Sequence, residues 1–375
     1  MVSSFLLIAM RPESSSTYFR ARQVRLRALM ETRRVPLILV THLVNIRYLT
    51  GFNGSAGAAL LGPRQGILWV DPRYTLQAQE QAKGVEVIEE KKGILKGVAS
   101  WFRKNRVREA TFEASNFTCA QFEQFSKEAG NSLQLKPAGD LIEELRVVKD
   151  RWEIEAIRSA GRVTAEAFAE VLPQVRPGAR ERDLAAEIDY RMRKMGAEGP
   201  AFETIVASGP RSAYPHARPS SKALQERELV IFDLGAILGG YAADMTRTVF
   251  LGEPNRRVRN LYSAVMKAQT RAVRAVQDAT PAGEIDCAAR RILAKHRLAR
   301  YFTHSTGHGV GLEIHERPRL GKGETTCLRT GSVVTVEPGI YLEGFGGIRI
   351  EDTVLVGPEG PEVLTPASKE CWVIR

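Results

Sequence analysis

The spacing of apolar residues changes once along the chain and predicts two parts of different construction. In the first part, short apolar runs such as VPLILV (35–40) and GILWV (66–70) alternate with polar segments such as PRYTLQAQEQA and SWFRKNR. Runs of this kind favour buried strands, and the polar segments between them favour surface helices. The pattern predicts an α/β domain over residues 1–147.

The second part is predicted to begin with a long amphipathic helix after LIEELRVVKD (141–150). Apolar residues recur there at steps of three and four, as one buried stripe along a helix requires. The stripe consists of Trp152, Ala156, Ile157, Ala160, Val163, Ala167, Phe168 and Val171. Further helices are predicted at about 180–195, closed by Gly196, and at 255–278 and 284–298.

Strand-like runs lie around and between these helices: LVIFDL, DMTRTVFL, SVVTVE and GIRIEDTVLV. Strands and helices in this proportion predict a curved, largely antiparallel sheet backed by helices over residues 148–375. The whole chain is therefore predicted to be an α/β (α+β) protein of two domains.

Two segments of the second part repeat one arrangement of acidic residues and glycines. In FDLGAILGGYAADMTRT, Asp233 ends an apolar strand, and Asp244 follows the pair Gly239-Gly240 by four residues. VEPGIYLEGFGGIRIEDT repeats the arrangement with Glu337, Gly346-Gly347 and Glu351. Gly-Gly between strand patterns is a hairpin signal, so each segment is predicted to form a β-hairpin.

The predicted hairpins bring acidic side chains together. A two-residue turn at Gly239-Gly240 would place Asp233 opposite position 246 across the ladder. Asp244 would then be its diagonal neighbour on the same face, because side chains alternate with period two. Two such hairpins would aim four carboxylates at one point, where burying them without a counter-charge is costly. A carboxylate-rich site with one imidazole suits Mn²⁺ or Co²⁺, with Zn²⁺ as a further candidate.

The stretch HSTGHGVGLEIHE (304–316) contains three histidines. His304 and His308 have the i, i+4 spacing of a zinc-binding helix, but the interspersed glycines disfavour a helix and the HExxH order is absent. An extended segment whose glycines let the backbone approach a ligand fits better. His308, flanked by glycines, is the candidate metal ligand, and His304 and His315 are candidate substrate-side groups.

Two further side chains are candidates for the same site. His216 lies between prolines in YPHARPS (214–220), a rigid loop that would fix its ring. Arg349 lies two residues before Glu351 on the same strand face and would hold that carboxylate in place. His42 and His296 are assigned no function.

Length and composition limit the class of protein. The chain has 375 residues, 43% of them hydrophobic and 26% charged, which is typical of a globular protein larger than one average domain. No apolar run approaches the roughly 20 residues of a membrane span. The start, MVSSFLLIAM, has no Lys or Arg before its apolar stretch and no evident cleavage site. It is a poor signal peptide, and Met10 is an alternative start.

Charge and cysteine content add two expectations. Of the net charge of +11, the part before Val148 carries +7 (21 Lys and Arg against 14 Asp and Glu), and the remainder carries +4 (33 against 29). No aromatic platform or nucleic-acid motif accompanies the basic clusters, so a solvated basic surface is expected, without a nucleic-acid partner. The four cysteines lack CxxC spacing and are expected to be reduced thiols of a cytoplasmic protein.

Taken together, the motifs resemble the Xaa-Pro peptidases of the pita-bread metallopeptidase family, which also contains methionine aminopeptidase and creatinase. The segments that carry the resemblance are SGPRSAYPHARPS, VIFDLGAILGGYAADMTRTV, FTHSTGHGVGLEIHERPRL and VVTVEPGIYLEGFGGIRIEDTVLV. They cover essentially all of residues 148–375 as a pita-bread catalytic domain. NIRYLTGFNGSAGAALL and ILWVDPRYTLQAQEQ resemble the creatinase-type N-terminal domain, here 1–147. The resemblance also implies a homodimer.

The resemblance implies two divalent metal ions per chain, with Mn most expected and Co or Zn as alternatives. Asp244 and Glu351 would bridge the metals, Asp233 would complete one site, and His308 with Glu337 would complete the other. A metal-bridging water or hydroxide would attack the carbonyl of the Xaa-Pro bond, and Glu337 would accept its proton.

The resemblance also assigns side chains to the substrate. His216 and His315 match histidines that stabilise the tetrahedral intermediate and assist the leaving proline nitrogen. His304 matches a histidine that lines the proline pocket, and Tyr341 matches a nearby tyrosine. Arg349 matches an arginine that supports the second bridging carboxylate.

Two activities within the Xaa-Pro class stay open. A dipeptidase must bind the free carboxylate of the proline, and Arg319 in HERPRL occupies the place of a prolidase arginine that would do so. The interpretation leans to an Xaa-Pro dipeptidase acting on proline-containing dipeptides. An Xaa-Pro aminopeptidase acting on short peptides is the alternative.

Three rival interpretations are weaker. A creatinase-like hydrolase without metal conflicts with the complete ligand set. Methionine aminopeptidase conflicts with the first domain and the PHARPS loop. A non-catalytic pita-bread binding module is favoured only by the isoelectric point near 9.6.

Overall fold

The computed structural model of the chain describes residues 12–130, 132–370 and 372–374. The alternative start at Met10 and the apolar segment before it lie outside these residues. The chain divides into two compact units, Met1–Arg146 and Val147–Arg375. In the part of the chain that is described, no helix is both long and apolar enough to cross a membrane.

The first unit alternates helices and strands. Its elements are α1 (Pro12–Arg33), β1 (Ile38–Val40), α2 (Leu43–Thr50), β2 (Ala58–Leu61), β3 (Gly66–Val70), α3 (Thr75–Gln81), β4 (Glu86–Glu89), α4 (Ile94–Lys104), β5 (Glu109–Phe112), α5 (Cys119–Ala129), β6 (Gln134–Pro137) and α6 (Leu141–Arg146). The strands form one mixed sheet in the order β4-β3-β2-β1-β5-β6. Large side chains of this sheet and of α4 and α5, among them Trp69, Phe102 and Phe125, pack into one core. The predicted strands and helices of this part are confirmed.

One buried carboxylate, at the end of β5, accepts hydrogen bonds from the segment that follows β1 and from α2. Glu113 follows β5, and 3% of its surface is exposed. One of its oxygens accepts hydrogen bonds from the backbone N–H groups of Thr41 and His42, at 2.7 and 2.8 Å. The other accepts a hydrogen bond from the Asn45 amide at 2.6 Å. Burial raises the pKa of Glu113 to about 7, although these hydrogen bonds act in the opposite direction.

This pKa predicts how stability changes with pH. The folded protein holds a proton on Glu113 up to about pH 7, whereas the unfolded chain releases it near 4.5. The stability that the protonated group contributes is therefore complete below pH 4.5 and is lost as the pH rises through 7, by at most about 3 kcal/mol. Glutamine resembles the protonated carboxyl at every pH, so we expect the unfolding free energy of the wild type, measured with urea, to fall relative to that of Glu113→Gln by this amount over that range. A difference between the two proteins that does not change with pH would contradict the prediction.

The second unit contains most of the strands. Its elements are α7 (Arg151–Val171), α8 (Glu181–Lys194), β7 (Gly199–Pro200), β8 (Ile205–Ser208), β9 (Leu229–Leu234), β10 (Ala236–Leu238), β11 (Tyr241–Ala242), β12 (Met245–Leu251), α9 (Arg256–Arg274), α10 (Ala282–Lys295), β13 (Gly307–Gly309), β14 (Glu316–Leu320), β15 (Val333–Val336), β16 (Gly339–Leu342), β17 (Gly346–Arg349), β18 (Asp352–Gly357), β19 (Gly360–Val363) and β20 (Trp372–Ile374). The larger sheets have the orders β20-β12-β9-β8 and β14-β13-β15-β18-β19.

The helices of this unit cover the sheets in two pairs. Helix α7 begins at a capping box formed by Asp150 and Glu153, and its buried face runs from Ala156 to Val171. It packs with α8 against β9 and β12, while α9 and α10 pack against β15 and β18. Within the two larger sheets, every described strand pair except the parallel β12–β20 pair is antiparallel. The predicted antiparallel sheet backed by helices is confirmed.

The first Gly-Gly pair forms the predicted turn. Ile237 pairs with Ala242 and Leu238 with Tyr241, so Gly239 and Gly240 alone connect β10 to β11. Both glycines have positive φ, 61° and 83°, as a two-residue hairpin turn requires. The same register continues into β9 and β12, where Asp233 lies opposite Thr246. The predicted register of this hairpin is confirmed.

The second Gly-Gly pair does not form a turn, and this part of the prediction was wrong. Residues 343–345 make the turn, and Gly346 and Gly347 lie in β17, where Gly347 pairs with Tyr341. A Cβ on Gly347 would lie 2.1 Å from the carbonyl oxygen of Ser212. These glycines are therefore required by the close approach of a neighbouring 3-10 turn, Gly209–Ala213, and not by chain reversal.

The segment with alternating glycines is extended, as predicted. His308 is the middle residue of β13, between Gly307 and Gly309. A Cβ at Gly307 would lie 1.9 Å from the carbonyl oxygen of Thr335, and one at Gly309 would lie 2.1 Å from that of Arg317. The glycines let β13 fit between its neighbouring strands, whereas the sequence had suggested the approach of a ligand.

Candidate metal centre

Strand ends bring the predicted donors together. Asp233 is the only residue of β9 that is not fully buried, and Asp244 immediately precedes β12. Val336 pairs with Asp352 in one ladder, and Gly339 pairs with Arg349 in the next. The same register places Glu337 and Glu351 opposite each other where the two ladders meet.

His308 faces this group with its unprotonated nitrogen. Its Nδ1 lies 2.9 Å from the carbonyl oxygen of Gly309, which assigns the ring proton to Nδ1. Its Nε2 then carries a lone pair and lies 3.7 Å from Asp244 Oδ2 and 3.6 Å from Glu337 Oε1. Burial lowers the pKa of His308 to about 4, so the ring is neutral at physiological pH.

The carboxylates repel one another in a buried setting. Burial raises the pKa of Asp244 well above its ordinary value, and the charges of Asp233 and Glu337 add to the effect. The pKa of Glu337 is likewise raised by burial and then by the charge of Glu351. Burial and the charge of Asp244 raise the pKa of Glu351 in the same way.

Three buried oxygens of this group have no hydrogen-bond partner among the described residues. They are Oδ1 of Asp233, Oδ1 of Asp244 and Oε1 of Glu351. Asp244, His308 and Glu351 each offer one donor atom, and these three atoms lie within 4.8 Å of one another. Buried acceptor atoms that converge without a hydrogen-bond donor fit a bound cation, and an oxygen-rich set with one imidazole fits a hard or borderline divalent metal.

One arginine connects the acidic group to its surroundings. The Arg349 guanidinium is buried and donates to Asp233 Oδ2 at 2.6 Å and to the Tyr341 hydroxyl at 2.7 Å. It also donates to Thr246 Oγ1 at 3.0 Å and to the carbonyl oxygen of Pro215 at 3.1 Å. The sequence suggested that Arg349 holds Glu351. The contacts instead reach Asp233 directly and Glu351 through Thr246.

A chain of hydrogen bonds runs from this arginine to His304. The Tyr341 hydroxyl accepts from Arg349 and lies 2.9 Å from His304 Nε2, and His304 Nδ1 lies 2.8 Å from the carbonyl oxygen of Ser305. The ring proton therefore belongs to Nδ1, and Tyr341 donates to Nε2. Burial lowers the pKa of His304 to about 4, in agreement with a neutral ring. Burial also raises the pKa of Tyr341 to about 12, which keeps the hydroxyl protonated.

The other two predicted histidines lie beside the donors. The His315 ring centroid is 4.3 Å from that of His308. Burial lowers the pKa of His315, and the charge of His216 lowers it further. His216 is exposed on its loop and is also near enough to His304 for its charge to lower the pKa of that ring.

Arg319 lies opposite His308 in the β13–β14 ladder. Its side chain is exposed, and among the described residues it has no hydrogen bond or ion pair. Residues directly opposite in an antiparallel ladder present their side chains on the same face. Glu316, on the same strand, has a different environment, because it forms a buried ion pair with Lys149 at 3.0 Å.

Two threonines near the donors were missed by the sequence analysis. Thr246 Oγ1 accepts from Arg349 and donates to Glu351 Oε2 at 2.6 Å. Thr335 Oγ1 accepts from the backbone N–H of His308 at 3.1 Å and lies 3.5 Å from Glu337 Oε1. Their positions in the sequence could have identified them. Thr246 and Thr335 each lie two residues from a predicted acidic donor, and residues two apart in a strand lie on the same face.

The antiparallel sheets backed by helices and the buried donor group fit a metal-dependent peptidase. Comparison with known proteins gives the family. Residues 155–358 match the model of metallopeptidase family M24, and residues 22–148 match the Creatinase/Prolidase N-terminal domain. The chain belongs to metallopeptidase family M24.

Its relatives include peptidases with two kinds of name. It is 37% identical to an Xaa-Pro dipeptidase of Pyrococcus furiosus, over 94% of this chain and 99% of the relative. An Xaa-Pro dipeptidase structure from Bacillus anthracis superposes with a TM-score of 0.91 at 36% identity, over 95% of this chain and 100% of the other. An X-Pro aminopeptidase structure from Thermotoga maritima has a TM-score of 0.88 at 35% identity, over 94% and 100%.

Proposed function

We propose that the protein hydrolyses the Xaa-Pro bond of proline-containing dipeptides, as an Xaa-Pro dipeptidase. The observation that carries the proposal is the position of the unprotonated Nε2 of His308, within 3.7 Å of one carboxylate oxygen from each of Asp244 and Glu337. The names of the Pyrococcus and Bacillus relatives support the bond specificity. The Thermotoga neighbour favours a second candidate, an Xaa-Pro aminopeptidase that acts on short peptides.

The proposal assigns two divalent ions to one set of donors, with Mn²⁺ as the first choice and Co²⁺ or Zn²⁺ as alternatives. The donors are Asp233, Asp244, His308, Glu337 and Glu351. When bound, such ions acidify a water molecule and polarise the scissile carbonyl. Support comes from the three carboxylate oxygens that lack hydrogen-bond partners among the described residues.

The remaining chemistry belongs to side chains. Glu337 accepts the proton of the attacking water on its carboxylate and returns it toward the leaving group. His216 and His315 donate hydrogen bonds to the negative charge that develops on the carbonyl oxygen, and they assist protonation of the proline nitrogen. The short distance between the His315 and His308 rings supports this assignment for His315.

The substrate ring and its carboxylate are assigned to different residues. His304 and Tyr341 line the proline pocket, and their mutual hydrogen bond holds the two rings in place. Arg319 binds the free carboxylate of a dipeptide, because a guanidinium suits a bidentate contact with a carboxylate. Its exposed side chain, opposite His308 and without an ion pair among the described residues, supports this role.

The proposal extends to the organisation of the protein. It includes a creatinase-type N-terminal domain over residues 1–147, a catalytic domain over 148–375, and a homodimer. It also includes cytoplasmic localisation. The free thiols of Cys119, Cys287 and Cys327 suit that reducing compartment.

The deciding experiment measures proline release from Xaa-Pro dipeptides and cleavage of Xaa-Pro-Yaa tripeptides by one preparation. The protein is first freed of metal with a chelator and then supplied with Mn²⁺, Co²⁺ or Zn²⁺. We expect activity only with metal, and a higher kcat/KM for the dipeptides. Activity that survives complete metal removal would overturn the metallopeptidase assignment. A preference for tripeptides would replace the dipeptidase with the aminopeptidase.

A further inference from the structure

The loop that carries His216 is held at both ends by a residue outside the metal centre. Its ring is exposed, and among the described residues no hydrogen bond or ion pair fixes it. The backbone of residues 209–220 therefore sets the position of the Cα–Cβ bond of His216, and with it the region that the ring can reach. Contacts that fix this backbone also limit where the ring can lie.

One carboxylate holds both ends of this loop. Glu181, the first residue of α8, is fully buried. Its Oε1 accepts from the backbone N–H and the hydroxyl of Ser208, at 2.8 and 2.9 Å. Its Oε2 accepts from the backbone N–H and the hydroxyl of Ser220, at 3.0 and 2.6 Å, and from Arg211 Nε at 3.1 Å. Ser208 precedes the loop and Ser220 ends it, so two oxygens of one side chain close it.

The environment favours the ionised form of this carboxylate. Burial raises the pKa of Glu181, but the hydrogen bonds from Ser220 and Ser208 outweigh burial, and the net shift is downward. The N-terminus of α8 adds a favourable dipole. A glutamine at this position would present an amide group to one pair of N–H and O–H donors and would lose hydrogen bonds at one end of the loop.

Two other contacts connect the same loop to the metal centre. The carbonyl oxygen of Pro215 accepts from Arg349, which also binds Asp233. Inside the loop, Arg211 Nη2 donates to the carbonyl oxygen of Arg218 at 2.6 Å. The tip of the loop is thus held by the centre, and its ends are held by Glu181.

We propose that Glu181 is a positioning residue for the peptidase reaction and acts through His216. It sets the loop so that the His216 ring faces the carbonyl oxygen of the substrate as negative charge develops there. The inference rests on the proposed function, because it needs His216 to act on the transition state. Glu181 itself touches neither substrate nor metal.

The test is a double-mutant cycle between Glu181→Gln and His216→Ala, measured on the metal-loaded protein with an Xaa-Pro dipeptide. We expect Glu181→Gln alone to lower kcat by about 10- to 100-fold, with KM changed by less than about threefold. In the His216→Ala background the same substitution should lower kcat by less than about twofold, since the residue on which it acts is gone.

The cycle separates positioning from a loss of folded protein. A smaller folded fraction would lower kcat by the same factor in both backgrounds, and that result would overturn the inference. Ser220→Ala provides a milder variant, in which the Glu181 carboxylate keeps its hydrogen bonds from Ser208 and from the backbone N–H of residue 220. Its smaller loss of kcat should also vanish in the His216→Ala background.

A control variant and the single substitution of His216 separate failure of this inference from failure of the proposed function. Glu187→Gln removes a carboxylate from the same helix, where it pairs with Arg191 away from the loop. It should leave kcat and KM unchanged. If His216→Ala alone leaves kcat intact, the proposed role of His216 is wrong, and the inference falls with it. If His216→Ala lowers kcat but Glu181→Gln does not, only the inference is overturned.

Discussion

Asp244→Asn is expected to abolish hydrolysis of both dipeptides and tripeptides, with a loss of kcat/KM of at least about 1,000-fold. Several kcal/mol of transition-state stabilisation depend on the bound metal, and each 1.4 kcal/mol corresponds to about tenfold in rate. The substitution keeps the shape of the side chain and removes the negative charge. His308→Ala should have the same effect, because His308 supplies the only imidazole nitrogen in the group of three neighbouring donors.

Asp244→Asn should not lower the melting temperature of the metal-free protein. Asp244 is buried, and Asp233 and Glu337 repel its charge. Removing that charge relieves the repulsion, so metal-free Asp244→Asn should melt at a temperature no lower than that of the metal-free wild type. Added Mn²⁺ should raise the melting temperature of the wild type more than that of the variant, because ligands stabilise the state that binds them.

A matched control is available on helix α8. Asp189 is a partly buried carboxylate that accepts a hydrogen bond from Thr204. It is far in sequence from all the proposed metal ligands. Asp189→Asn should keep full metal-dependent activity. Asp244→Asn with appreciable activity and a wild-type response to Mn²⁺ would remove Asp244 from the ligand set.

Arg319→Ala is expected to raise KM for dipeptides by about 10- to 100-fold, since a charge-assisted hydrogen bond contributes about 1.5–3 kcal/mol. Tripeptides have no carboxylate on the proline itself, so their KM should change by less than about threefold on the same argument. The measurement is the ratio of KM values for the two substrates in each protein.

Two further variants sharpen this result. Arg319→Lys keeps the charge but loses the planar fork, and its dipeptide KM should lie between those of the wild type and Arg319→Ala. Arg274→Ala removes an exposed arginine at the end of α9 and should leave KM unchanged for both dipeptides and tripeptides. Equal changes in KM for dipeptides and tripeptides after Arg319→Ala would exclude the carboxylate-binding role.

Local patterns in the sequence were sufficient for much of the fold. The Gly239-Gly240 turn and the alternation of side chains gave the pairing of Asp233 with Thr246, because a short hairpin has one register once its turn is known. The glycines around His308 excluded a helix for the same local reason. Helix ends followed caps and glycines, as at Gly196, where φ is 97°.

Contacts between segments far apart in the chain could not be predicted from the sequence. Gly346-Gly347 had the same local signal as the first pair, yet the requirement there comes from Ser212, more than 100 positions away. The connections through Thr246 and Glu181 were missed because a hydroxyl or a helix-start carboxylate has many ordinary uses. Only the packed structure identifies which groups accept their hydrogen bonds.

The second acidic hairpin also indicates where the chain can change in length. Residues 343–345 lie beyond the ladder between β16 and β17, so inserting or deleting residues there leaves the pairing of Gly339 with Arg349 unchanged. Deleting one residue between Gly347 and Glu351 would instead turn Glu351 to the opposite face, because side chains alternate with period two. Length variation among descendants of this chain, natural or engineered, is therefore expected at the turn and not in the strand that follows it.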